Sequence, residues 1–152
     1  MTGRCFVSEY TITSYDKSSC PESAGMIFNK VCSLELGLGK YLTEFSPEAN
    51  EYLLLSCDGL DVGLAEMSLG ESELRILKIA VLKDYRRQAA GSALMDSIKR
   101  FANEKSCLSV IVETHIGARA FFIAKGFVEI AKPFIKDGMP LVEMRLDIRG
   151  RG

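Results

Sequence analysis

The chain has 152 residues, of which 47% are hydrophobic and 26% charged, with a formal net charge of −1. That balance suits one domain, residues 1–152, large enough to bury a core. It argues against nucleic-acid or membrane-surface partners, which favour a basic excess.

The five cysteines (Cys5, Cys20, Cys32, Cys57 and Cys107) include no CxxC pair, so neither a metal site nor a disulfide framework is expected. Reduced thiols are the expectation. The N-terminal stretch lacks the apolar segment of a secretory signal, and no run approaches the ~20 apolar residues that span a bilayer. A cytoplasmic protein is expected. The basic tail Arg149-Gly150-Arg151-Gly152 reads as a solvated end.

In chain order, Phe6 to Tyr15 alternates loosely among β-formers and predicts a strand. Pro21 stands where a first helical turn tolerates proline. Ala24, Ile27, Phe28, Val31 and Leu34 follow at helical spacing, up to Gly37 and Gly39. Residues 40–50 are ambiguous. Two apolar runs, Glu51 to Cys57 and Leu60 to Leu69, flank Asp58-Gly59, a strong hairpin signal. Glu73 to Leu82 predicts a strand apolar enough for the middle of a sheet.

Leu94, Ile98 and Phe101, with Met95 and Ala102 beside them, mark one helix face. Cys107 to Thr114 is a strongly apolar strand. Ala118, Phe121 and Phe122 indicate a shorter helix closed by Gly126. Phe127 to Ile135 and Pro140 to Ile148 flank Lys136-Asp137-Gly138, a second hairpin. The order β, α, mostly β, then β-α-β-α-β-β predicts a mixed α/β fold built on one sheet.

The stretch DYRRQAAGSALM, Asp84 to Met95, joins the central strand to the helix. The first backbone N–H groups of a helix have no intrahelical partner, and the macrodipole adds about half a positive charge there. Small residues let a phosphate reach that main chain. The same residues also suit a tightly packed helix start. Neither a P-loop nor a three-glycine dinucleotide motif is present.

This stretch resembles the pyrophosphate loop of the GNAT-type N-acetyltransferases, with Arg86 in the first place, Ala89 in the first glycine place and Gly91 in the last. His115 to Phe127, HIGARAFFIAKGF, resembles a later motif of that family, in which asparagine precedes a helix ending in Phe-Tyr and then Gly-Phe. Ala118, Phe121, Gly126 and Phe127 fall on matching places. The likeness is good from about Glu73 to the C-terminus.

The resemblance implies a mixed, mostly antiparallel sheet, splayed at its middle and flanked by helices. It implies acetyl-CoA as cofactor in the splay. The main chain of Ala80 and Val81 would meet its pantetheine arm, and the amides of Arg86, Arg87, Gln88, Ala89, Ala90, Gly91 and Ser92 its pyrophosphate. It implies acetyl transfer to a primary amine, small-molecule or peptide, by direct attack in a ternary complex, with a homodimer left open.

Three places depart from the pattern. Ala89 replaces a glycine. Phe122 stands where many members have a tyrosine that protonates the leaving thiolate; there it would pack beside the cofactor's thioester, but phenylalanine has no proton to give. His115, the chain's single histidine, stands on the asparagine place, where it would contact the cofactor, cap the helix or move a proton.

Glu113 is the candidate base, on whichever face its strand turns it. Glu66 and Glu73 are further candidates. Cys107 lies at the far end of its strand, which argues against a cysteine nucleophile. The competing readings are a catalytically weak acyl-CoA-binding sensor or regulatory module, kept open by Phe122, and an interaction domain without cofactor.

Overall fold

Asp58-Gly59 and Asp137-Gly138 each close a hairpin, and the backbone shows why. Both residues of each pair have positive φ (54° and 82°; 52° and 78°). A two-residue turn needs this to match the twist of its strands, and Asp-Gly adopts it at low cost. The computed structural model describes residues 10–16, 18–19, 49–82 and 90–148. The helix expected from Ala24 to Leu34, the start of the first strand, the loop from Arg86 to Ala89 and the basic tail lie outside the described residues.

The first strand, β1 (Tyr10–Asp16), pairs antiparallel with β2 (Glu51–Cys57). The Asp58-Gly59 turn leads to β3 (Leu60–Leu69), which pairs with both β2 and β4 (Glu73–Val81). Helix α1 (Ala90–Glu104) then crosses to β5 (Ser109–His115), parallel to β4. A 3₁₀ turn (Ile116–Ala118) and α2 (Arg119–Ala124) follow. Two short strands, β6 (Val128–Glu129) and β7 (Phe134–Lys136), both pair with β8 (Met139–Asp147). The sheet order is β1-β2-β3-β4-β5-β8-β6, with β7 also on β8. The run Phe127 to Ile135, expected as one strand, is therefore two.

The apolar stripe of α1 is the one expected. Leu94, Met95, Ile98, Phe101 and Ala102 are buried against Leu53, Leu55, Ala65, Met67, Leu74, Ile76, Val110, Val112, Val142 and Met144 of the sheet. The opposite face has its own cluster of Ala49, Tyr52, Leu54, Leu64 and Ala80.

A break in strand alternation decides which face each residue of β4 takes. Lys78 pairs with Glu66 but Ile76 pairs with Met67, so Leu77 is an extra residue with no partner in β3. Before this bulge, the even positions Leu74 and Ile76 face α1. After it the odd positions Ile79 and Val81 do, while Leu77 and Ala80 join the far cluster. A bulge re-aims side chains in this way, and bulges recur beside functional sites.

Gly126 ends α2 with φ of +100°, as expected for the residue after a helix. The thiols depart from expectation. Cys57 is disulfide-bonded, whereas Cys107 is free and buried. Among the described residues, no helix is long and apolar enough to cross a membrane.

Candidate active site

The sheet forks at its centre. The parallel ladder between β4 and β5 holds four residue pairs, from Glu73↔Ser109 to Ile76↔Val112. Both strands run on past it, β4 to Val81 and β5 to His115. The bulge at Leu77 falls at the residue after the last pair on β4, and Glu113 is the residue after the last pair on β5. An extended ligand laid in the fork would meet β4 as an added strand does.

Glu113 faces away from α1, since its neighbour Val112 belongs to the α1-side cluster. Its carboxylate accepts from Lys136 Nζ of β7 at 3.3 Å, with side-chain exposures of 31% and 60%. Exposed pairs of this kind contribute about 0–1 kcal/mol, so the lysine is held only weakly. Directly across on β8 stands Glu143, whose carboxylate is 3.3 Å from Arg75 Nη1. Two like charges in cross-strand register repel. Here each has its own cation, one from β4 and one from β7.

Glu66 is fully buried on the same face, its carboxylate 3.9 Å from Lys78 Nζ. Glu73 is exposed, 3.8 Å from Arg75. Cys107 precedes β5 at the end away from the fork, and burial pushes its thiol above the ordinary value, which disfavours the nucleophilic thiolate.

His115 ends β5 and is exposed. Its Nδ1 accepts from the Gly117 backbone N–H at 3.0 Å, which makes it the N-cap of the 3₁₀ turn. With Nδ1 as acceptor, the neutral ring carries its proton on Nε2.

The helix start is described from Ala90 onward. Ala90 is fully buried, and no acidic residue lies in the first turn of α1. A Cβ on Gly91 would come within 3.2 Å of Phe121 Cε1. Ser92 Oγ bonds Lys125 Nζ. Ala80 and Val81 end β4 nearly buried, paired with Leu64 and Gly63.

Phe122 is 1% exposed. Its ring makes edge-to-face contacts with Phe121 (5.2 Å) and Phe127 (5.3 Å). The residue of α2 that reaches α1's first turn is thus Phe121, with Lys125 behind it. Sequence reading missed Lys125, Arg75 and Lys136, since nothing local marks a lysine that will meet a residue 33 positions away.

The glycine at 91 has a packing reason, which makes a specific stability prediction. Gly91→Ala needs the Phe121 ring edge to yield by a few tenths of an ångström, against a helix-propensity gain of about 1 kcal/mol. It leaves the melting temperature nearly unchanged. Gly91→Val presses a branched side chain into the same contact and destabilises by about 1–3 kcal/mol. Thermal melts of the two variants check this.

Residues 27–148 match the family model described as acetyltransferase (GNAT) domain. The chain belongs to the GNAT acetyltransferase family. Members are acyltransferases that generally draw on acetyl-CoA.

A Bacillus subtilis (strain 168) protein with the provisional name of acetyltransferase is 23% identical over 94 residues, 62% of this chain and 64% of that protein. The chain thus spans about two thirds of that curated relative's length. A crystal structure of a Lactobacillus plantarum protein, provisionally named an N-acetyltransferase, superposes with a TM-score of 0.81 at 18% identity, covering 93% of this chain and all of the other. A GNAT family acetyltransferase from Elizabethkingia anophelis, solved with acetyl-CoA bound, gives 0.67 at 13% identity, covering 91% and 99%. At such identities the likeness shows a shared GNAT fold.

Proposed function

We propose that this GNAT protein transfers the acetyl group of acetyl-CoA to a primary amine, small-molecule or peptide, by direct attack within a ternary complex. The observation that carries this reading is the fork, where β4 and β5 part after Ile76 and Val112. The start of α1 supports it. A helix N-terminus without carboxylates suits an anionic ligand, and the fork suits a thin extended arm.

Acetyl-CoA supplies an activated thioester. The main chain of Ala80 and Val81 lines its arm. Ala90, Gly91 and Ser92 take its phosphates, together with Arg86, Arg87, Gln88 and Ala89. His115 offers Nε2–H to the cofactor while Nδ1 holds the turn.

Glu113 takes the proton that the attacking amine must lose. The amine nitrogen bonds the carbonyl carbon, the carbon–sulfur bond breaks, and the sulfur takes a proton from solvent, because Phe122 has none to give. Holding amine and thioester together supplies much of the rate, up to about 7–11 kcal/mol in favourable cases.

The test is calorimetry with acetyl-CoA, then thiol release against a panel of amines. Micromolar binding with amine-dependent release of CoA is the expected result. Absence of binding sinks the proposal. Binding without release with any amine favours the sensor reading, which the buried, proton-less Phe122 keeps in view.

A further inference from the structure

A helix N-terminus is a positive end that acidic side chains ordinarily offset. The first turn of α1 has none, and the fold brings a cation there instead. Lys125, the C-cap residue of α2, donates to the Ser92 hydroxyl of that turn. Its ammonium also lies 5.8 Å from the Phe121 ring centroid, and Phe121 packs against Gly91. Among the described residues, no carboxylate lies within ion-pairing distance of Lys125.

The placement is set by backbone. Lys125 N–H bonds the carbonyls of Phe121 and Phe122, and Gly126 turns the chain away behind it. A half-buried ammonium held against the positive end of a helix is electrostatically adverse on its own. An anion between the two attracts both and so offsets their repulsion.

We propose that Lys125 is a phosphate-binding residue of the acetyl-CoA site, stationed on Ser92 and pairing with a phosphoryl oxygen of CoA when the cofactor occupies the start of α1. This rests on the reading of that helix start as the CoA site, and it adds a residue from a different element. Lysine suits the role, because its ammonium has three donors on a flexible stem. One can stay on Ser92 while the others serve the phosphate. The pyrophosphate and the 3′-phosphate of CoA share this chemistry.

Calorimetric titration of CoA, 3′-dephospho-CoA and pantetheine into wild type, Lys125→Met and Lys125→Arg tests the proposal. Lys125→Met weakens CoA roughly tenfold, as loss of one charge-assisted hydrogen bond does. Pantetheine, which carries no phosphate, is unaffected. Lys125→Arg keeps CoA affinity within about threefold, because the charge stays.

An equal loss for 3′-dephospho-CoA assigns the contact to the pyrophosphate. A loss seen only with CoA assigns it to the 3′-phosphate, and either outcome supports the proposal. Equal weakening of pantetheine and CoA means a packing role and overturns it. Unchanged CoA affinity in a folded Lys125→Met overturns it too, while leaving the CoA site standing. A wild type that binds no CoA overturns the site reading and this inference together. If circular dichroism shows Lys125→Met unfolded, Lys125→Gln, which keeps an N–H donor on a side chain one atom shorter and removes the charge, carries the same comparison.

Discussion

Glu113→Gln lowers kcat by about 10²–10⁴-fold, the usual contribution of a positioned general base, and leaves CoA affinity unchanged. Glutamine keeps the size and polarity of the side chain but cannot accept the amine's proton. The fold has little stake in the charge, because the Lys136 partner is 60% exposed and such pairs contribute about 0–1 kcal/mol. A thermal melt within a degree or two of wild type therefore accompanies the loss of turnover. Steady-state kinetics with saturating acetyl-CoA, beside calorimetry with CoA, separates the effects. A kcat within twofold of wild type would show that the carboxylate is structural. The buried Glu66, on the same face, is then the next carboxylate to replace.

Phe122→Ala destabilises the protein by about 3–5 kcal/mol, as truncating a buried phenylalanine does. Domains of this size are stable by about 5–15 kcal/mol, so the variant is at the edge of folding. The ring is 1% exposed and wedged between Phe121 and Phe127, and its loss opens a cavity between α2 and the core under α1.

Phe122→Tyr is a finer probe. If the ring's far end is enclosed by apolar groups, the added hydroxyl costs about 1–3 kcal/mol and turnover does not rise. If it reaches the fork, stability holds and the hydroxyl can protonate the departing sulfur. Denaturant titration together with thiol-release rates distinguishes these outcomes.

Local rules made part of this structure legible. Asp58-Gly59 and Asp137-Gly138 announce their hairpins because positive φ at two successive residues suits few other dipeptides. The stripe of Leu94, Ile98 and Phe101 announces the face of α1 because helical periodicity survives packing. The GNAT resemblance was carried by short motifs of the same local kind, a small-residue helix start and a helix ending in Gly126-Phe127.

Tertiary structure decided the rest. The Leu77 bulge inverts the alternation of β4, and nothing in Glu73 to Leu82 signals an extra residue, since a bulge arises from the register with a partner strand. The face of Glu113 followed from the pairing of β5 with β8 and from the side on which α1 landed. Between adjacent phenylalanines, Phe121 and Phe122, only the rotation of α2 chose which would be buried and which would touch Gly91. Lys125 and Ser92 meet across 33 residues, because two helix ends converge on one edge of the core. Sequence by itself determined the two Asp-Gly hairpins, the apolar face of α1 and the helix end at Gly126, because each is set by neighbouring residues. Packing determined which side chains those elements aim at one another, because facing depends on partners that no local window contains.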